Sequence, residues 1–456
     1  MAKFQRNKGM QDILPKDISK WKYVEKTLIE VAQLYGFKEI RVPTMEFTEV
    51  FTGSVGESSD IVQKEMYTLE DMGRRSLTLR PEFTAGVVRS VIENGLLNEG
   101  LPLKLSYIGS CFRQEKPQAG RLREFHQFGV ESFGSNDPSA DAEIIALAKD
   151  VLQMLGLEKI RLLINSIGCP ECRPKYLEEL KKYFYTYKDQ LDGDSLKRID
   201  TNPMRILDSK VPSTMEIVKD APKSVDFLCD DCKVHFDGVK NRLSLLNIDY
   251  TIAPKLVRGL DYYTNTVFEF VSDDIGSQSS VAGGGRYNPL VERMGGKPTP
   301  GLGFGMGIER LIMAMDAVGA DVPEEKRCEI FVASVGDIAS KKALQLSHEL
   351  REEGFYAEYD MMSRGLKAQM KYANKIGAHY CVVLGEDELI KGVGKIRNMD
   401  SGKEVEIPLG DALVDYLYTV QISDAMEELG GSIDDIGFSN VDLSMMTKFV
   451  EEHSEK

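Results

Sequence analysis

The sequence predicts an α+β protein: an antiparallel sheet flanked by helices, a small inserted domain, and a separate C-terminal α/β domain. Three observations predict it. Residues 103–133 read as two strands joined by the loop Lys116-Pro117-Gln118-Ala119-Gly120. Residues 301–307 alternate glycine with Leu302, Phe304 and Met306, a period of two. Residues 329–410 run strand, helix, strand, helix, strand and then a hairpin, the order of an independent α/β unit.

Along the chain, Trp21, Val24, Leu28, Val31, Ala32 and Tyr35 recur at helical spacing over residues 17–35, and Gly36 supplies a stop. Residues 37–46 read as extended, with Pro43 suited to an edge or interface. A short strand at 77–80 precedes a helix that Pro81 initiates and that runs to about Asn94. Residues 140–155 read as helix. From about 169 to 250 the character changes to charged helical segments, such as 176–188, and two Cys-x-x-Cys pairs, which reads as an insertion. Strand pattern resumes at 266–271, a helix spans 308–318, and residues 319–327, with Pro323, form a linker. The expected domains are 1–325, with the insertion at 169–250, then 326–410, then an acidic extension at 411–456, helical in part with a mobile tip.

Composition sets the class. With 42% hydrophobic and 28% charged residues, the 456-residue chain buries several cores. No apolar run suits a signal peptide or a membrane span. Seven cysteines, an odd number, suit reduced thiols in a cytosol. The net charge of −15 excludes a strongly basic protein but not an RNA binder, since residues 411–456 alone carry 11 Asp and Glu against 2 Lys.

Chemistry concentrates on the hairpin and the glycine strand. Alternation puts Arg123, Phe125, Gln127, Gly129 and Glu131 on one face, with Tyr107, Gly109, Cys111 and Arg113 across the hairpin on a shared face. A cation, a ring, an amide, a gap and a carboxylate make a polar, partly hollow surface, unless this is merely a solvated sheet face. The glycine face of 301–307 has no side chains, so a flat ligand such as a purine can lie on it; a close strand crossing explains the same pattern. Arg310 follows in the first turn of the next helix. His126 alternates away from the cleft and reads as structural.

Phe112-Arg113-Gln114-Glu115 and Gly307-Ile308-Glu309-Arg310 resemble motifs 2 and 3 of class II aminoacyl-tRNA synthetases, and residues 36–46 resemble their motif 1. Leu256-Val257-Arg258-Gly259-Leu260-Asp261-Tyr262-Tyr263-Thr264 is similar to a peptide peculiar to the histidyl-tRNA synthetase family. Residues 78–85 and Gly284-Gly285-Arg286-Tyr287 match it too, so the resemblance covers about residues 3–410. Two departures stand out: Phe83 where the family often has Gly, and Asn288-Pro289 where Asp-Gly is common.

The resemblance implies a ligase that activates L-histidine with ATP and Mg²⁺ and transfers it to tRNA(His). It also implies a homodimer through motif 1, and an anticodon-binding role for residues 326–410, where Tyr372 to Ala378 and Leu384-Gly385-Glu386 carry the likeness. There Lys367, Lys371, Lys375 and Arg397 meet phosphates or simply form a solvated face. Arg113 and Arg258 are the implied catalytic residues, gripping the α-phosphate and the substrate carboxylate. Phe125 and Arg310 sandwich adenine and Arg121 takes the ATP tail. Glu82, Thr84 and Gln127 cradle the α-ammonium group, while Glu131 and Tyr263 read the imidazole beside Tyr262. Each has a plainer alternative: Tyr262 and Tyr263 as core aromatics, Arg258 as the ion-pair partner of Asp261, Glu82 as a complement to the helix N-terminus. A rival for the whole chain is a non-catalytic histidine-sensing paralogue that regulates histidine biosynthesis.

Cys169, Cys172, Cys229 and Cys232 have zinc-knuckle spacing, with 56 residues between the pairs and His235 as a competing ligand. Structural zinc and free reduced thiols are both open at this point.

Overall fold

Alternating side chains build the central sheet of the larger unit. The computed structural model describes residues 4–56, 59–275, 279–323 and 326–428. The chain divides into two compact units, Met1–Pro323 and Glu324–Lys456. In the first, the strands are β1 (Lys38–Glu39), β2 (Met45–Phe47), β3 (Tyr67–Glu70), β4 (Ser76–Leu79), β5 (Leu103–Phe112), β6 (Glu124–Phe133), β7 (Arg161–Ser166), β8 (Thr251–Ile252), β9 (Thr264–Val271), β10 (Ser280–Arg286) and β11 (Gly301–Gly307). Eight of them form one sheet, ordered β1-β5-β6-β11-β10-β9-β7-β8. The two outermost pairs are parallel and every inner pair is antiparallel. The expected hairpin is β5 and β6, in register from Leu103 opposite Phe133 to Phe112 opposite Glu124.

Period-two alternation gives this sheet two different faces. Phe128, Val130, Leu302, Phe304 and Met306 point to one side, where they pack on Val24, Leu28, Leu147 and Leu311. Those partners come from the helices Pro15–Leu34, Pro138–Met154 and Ile308–Val318. Each such side chain contributes about 1.5–3 kcal/mol on burial. The opposite face carries the polar set of β6 and the glycines of β11. The helix expected from Pro81 begins later, at Thr84, because Glu82 turns back to cap its first N–H groups.

Within the segment between the cysteine pairs, Tyr176, Leu180, Phe184, Ile199 and Ile206 make a core of their own. The helix Asp230–Leu245 instead gives Phe236, Val239 and Leu243 to the core beneath the main sheet. At the end of β10, Arg286 is almost fully buried. Its Nε lies 2.9 Å from both oxygens of Asp141, and it donates to the carbonyls of Ser135 (2.8 Å) and Asp137 (3.0 Å). A buried charge so completely partnered locks the sheet to the helix Pro138–Met154.

The second unit has β12 (Ile330–Ser334), β13 (Ala357–Tyr359), β14 (Tyr380–Leu384), β15 (Val393–Asn398) and β16 (Glu404–Pro408), ordered β13-β12-β14-β15-β16. The first three neighbours are parallel and the last two form the expected hairpin side. Asp411–Glu428 is helical; the rest of the acidic extension, with its expected mobile tip, lies outside the described residues. Among the described residues no helix is long and apolar enough to cross a membrane.

Candidate active site

The polar face of β6 and the glycines of β11 meet in register. Gly303 pairs with Glu131 and Gly305 with Gly129. A Cβ on Gly303 would sit 2.0 Å from Glu131 Oε2, and one on Gly305 would sit 2.1 Å from Gln127 Nε2. The glycine face is therefore not bare, as the sequence reading expects. The longer polar side chains of the neighbouring strand lean across it, and glycine is what lets them. On β10 the same holds for Gly283, whose Cβ would fall 2.4 Å from the Arg258 guanidinium.

A cleft opens on this face. Arg113, Arg121, Phe125, Gln127, Arg258 and Arg310 all line it, over a floor that includes Gly283, Gly305 and Gly307. Local contacts hold each cation in place. Arg113 Nε donates to the Pro81 carbonyl at 2.9 Å, and its guanidinium lies 5.1 Å from the Phe125 ring centre. Arg310 donates to the carbonyls of Gly120 (3.0 Å) and Ser280 (2.9 Å). Arg258 pairs with Glu269 at 3.0 Å and not with Asp261, which accepts from Asn202 at 3.0 Å. Arg121 pairs with buried Glu115.

Electrostatics says what the cleft wants. Burial lowers the pKa of Arg310, and the neighbouring Arg121 and Arg113 lower it further. Burial also opposes the charge on Arg258, but Glu269 overrides this and holds its pKa above the ordinary value. Cations pressed together in a partly desolvated hollow gain most from a polyanion.

Beside the cleft lies a buried cluster of Glu82, Thr84, Tyr107, Glu131, Tyr262, Tyr263 and Tyr287. Glu131 is its centre. It accepts from Thr84 Oγ1 at 2.7 Å, from Tyr107 OH at 3.0 Å and from Tyr287 OH. Burial raises its pKa to about 8, against those three donors and with help from Glu82. Tyr262 stacks obliquely on Tyr263, ring centres 4.7 Å apart, and meets Tyr287 edge-on at 5.7 Å. Glu82 accepts from the backbone N–H of Thr84 (2.7 Å) and Ala85 (2.9 Å), so it does complement the helix N-terminus. A carboxylate has about four lone-pair sites, which leaves capacity for a ligand cation.

Sequence reasoning placed Tyr107 on the polar hairpin face and Glu115 and Tyr287 within motifs but gave none of them a role, and it passed over Glu269. Two signals were present: Tyr107 shares the polar hairpin face, and Glu269 interrupts the apolar run Val267-Phe268-Glu269-Phe270-Val271. Phe83, where the resemblance suggests Gly, is sandwiched between Arg80, 4.0 Å from its ring centre, and Tyr107, stacked at 4.3 Å. His126 is structural, as expected: it binds Glu309 through Nδ1 at 3.0 Å and lies beside Trp21.

The four cysteines of the two pairs come together, with every Sγ within 4.8 Å of the others. His235 is not among them; its Nε2 lies 3.2 Å from Asp141.

Comparison with known proteins gives a consistent picture. Residues 9–311 match the family model for histidyl-tRNA synthetase, and residues 329–417 match that for an anticodon binding domain. A histidine–tRNA ligase of Acetivibrio thermocellus is 52% identical over 91% of this chain and 99% of that protein. One from Halothermothrix orenii is 49% identical over 89% of this chain and 97% of that protein. Among solved structures, apo histidyl-tRNA synthetase of S. aureus superposes with a TM-score of 0.77 at 39% identity, covering 91% of this chain and 99% of that one.

Proposed function

The chain belongs to the histidyl-tRNA synthetase family, and from that premise we propose how its side chains carry the reaction. It is a ligase that activates L-histidine with ATP and joins it to the 3′ end of tRNA(His). In the first step a histidine carboxylate oxygen attacks the α-phosphorus of ATP and pyrophosphate leaves. In the second, the terminal ribose hydroxyl attacks the adenylate carbonyl and AMP leaves. The carboxylate is already ionised, so the first step needs positioning and charge stabilisation more than a base.

We assign Arg113 and Arg258 to the α-phosphate and the substrate carboxylate, from opposite sides. A guanidinium is permanently charged and binds two oxygens at once, which suits both. Phe125 and Arg310 take the two faces of adenine, and Arg121 the polyphosphate tail. Mg²⁺ would arrive with ATP as part of the substrate, and Glu115, which lines the cleft and pairs with Arg121, would offer it oxygen ligands. Glu82, Thr84 and Gln127 receive the α-ammonium group. Glu131 and Tyr263 take the imidazole nitrogens, with Tyr262 closing the side of the pocket. Buried polar groups left unpaired by any other amino acid give the selectivity.

The observation that carries this assignment is the gathering of Arg113, Arg258 and Arg310 around one cleft that adjoins the buried Glu131 cluster. The same gathering speaks against a non-catalytic histidine sensor, which needs neither Arg258 nor Arg310. So does the match of residues 329–417 to an anticodon binding domain. Charging of tRNA(His) transcript with labelled histidine tests the function. Histidine-specific, ATP-dependent charging is expected; histidine binding with no charging would mean a sensor.

A homodimer is supported by the small sheet β2-β4-β3. Its register sets Phe47, Leu77 and Leu69 in one row and Met45, Leu79 and Tyr67 in another. Met45, Phe47 and Leu69 are exposed, an apolar face suited to a second copy. A cytoplasmic location is supported by seven cysteines, none in a disulfide.

A further inference from the structure

Away from the cleft, two turns bring four thiols to one point. Cys169 and Cys172 sit just before the helix Arg173–Thr186, and Cys229 and Cys232 lie at the start of the helix Asp230–Leu245. The Sγ atoms of Cys169 and Cys172 are 3.6 Å apart, those of Cys169 and Cys229 3.8 Å, and those of Cys172 and Cys232 3.8 Å. Zinc–thiolate bonds of about 2.3 Å in a tetrahedron require sulfur–sulfur edges of about 3.8 Å. A disulfide requires about 2.05 Å.

The surrounding backbone is shaped for charged sulfur. The Cys169 N–H donates to Cys172 Sγ at 3.2 Å, and Asn265 Nδ2 donates to Cys232 Sγ at 3.3 Å. Gly168 has φ +73°, and a Cβ there would lie 2.7 Å from Cys172 Sγ, so this turn excludes a side chain where the sulfur must sit. Leu228 closes the cluster on its apolar side.

We propose that Cys169, Cys172, Cys229 and Cys232 hold one zinc ion, and that this site braces the histidine pocket from behind. On binding, each cysteine gives up its proton and the ion stays divalent. The bracing runs through Arg173, which follows Cys172 directly. Its guanidinium donates to the carbonyls of Tyr263 (2.6 Å), Gly168 (3.2 Å) and Ile167 (3.3 Å). Asn265, two residues past Tyr263, binds the same turn through its own N–H to Gly168 O at 3.0 Å. Arg173 is thus a positioning residue for Tyr263; this second part rests on the ligase reading.

Full-length protein purified without added metal or chelator, then analysed by inductively coupled plasma mass spectrometry, tests the site. About one zinc per chain is expected, falling below about a tenth in Cys229→Ser/Cys232→Ser. One iron per chain, a metal-free chain with four titratable thiols, or disulfides detected by mass would each overturn it. The wild-type count stands even if the double variant fails to fold. It also stands if histidine is never activated, an outcome that would sink the ligase reading alone. For the bracing, Arg173→Gln is expected to keep its zinc and raise KM for histidine about tenfold, with KM for ATP unchanged. An unchanged histidine KM, or equal changes in both, would overturn that role.

Discussion

Thr84 Oγ1 donates to Glu131 Oε1 at 2.7 Å, tying the first turn of a helix to the polar face of the central sheet. The bond fixes one of the two oxygens of Glu131, the carboxylate we assign to the imidazole. Thr84→Val keeps the volume and removes the donor. Loss of one bond to a buried carboxyl costs about 1–3 kcal/mol. KM for histidine should rise about tenfold or more while KM for ATP stays within about twofold. Steady-state kinetics with each substrate varied in turn checks this.

Because burial raises the Glu131 pKa to about 8, this carboxyl is mostly protonated in the free protein at pH 7. Its ionised fraction grows with pH, and only the ionised form is a pure acceptor for an imidazole N–H. Histidine carries titrating groups of its own, so the informative quantity is affinity relative to Glu131→Gln. That ratio should grow about tenfold between pH 7 and pH 9. Calorimetric titrations of both proteins would measure it, and a flat ratio would mean that Glu131 does not receive the ring.

Gly303→Ala tests the close approach of β6 and β11. The new Cβ would lie 2.0 Å from Glu131 Oε2, on a buried carboxylate that Thr84, Tyr107 and Tyr287 hold in place, and 2.2 Å from the Val130 carbonyl, which is fixed in the backbone. Overpacking of this kind costs about 1–3 kcal/mol. Thermal unfolding should shift down by several degrees, and histidine binding should be lost in protein that still folds. A variant with wild-type histidine affinity would show that Glu131 has freedom the packing denies it.

The exposed row on the small sheet gives a test of assembly. Phe47→Glu with Leu69→Glu places charge on the apolar face without touching Glu46 or Thr78 on the other side. Sedimentation should show a wild-type dimer and a monomeric variant. A dimer of unchanged affinity in the variant would move the interface elsewhere.

Much of this was legible in the sequence, for a definite reason. Period-two alternation over residues 103–133 and 301–307 gives both faces of the sheet, and helical spacing from Trp21 to Tyr35 gives the helix beneath it. What alternation does not give is who leans over whom. It leaves the glycines of β11 as an open floor, whereas Glu131 and Gln127 cover Gly303 and Gly305. Nor does local pattern reveal the partner of Arg258, which lies eleven residues on at Glu269, not three on at Asp261. The two Cys-x-x-Cys pairs do suggest that Cys169 and Cys229 could meet, but spacing alone leaves that open, because the 56 residues between the pairs fold on a core of their own.

Histidine-dependent exchange of labelled pyrophosphate into ATP tests the central claim most directly, since it reads adenylate formation without tRNA. Wild-type protein should exchange robustly with histidine and not with glutamine or asparagine. Arg258→Ala should lose at least about a thousandfold while still binding histidine. Undiminished exchange by Arg258→Ala, or none by the folded wild-type chain, would contradict the assignment of this cleft.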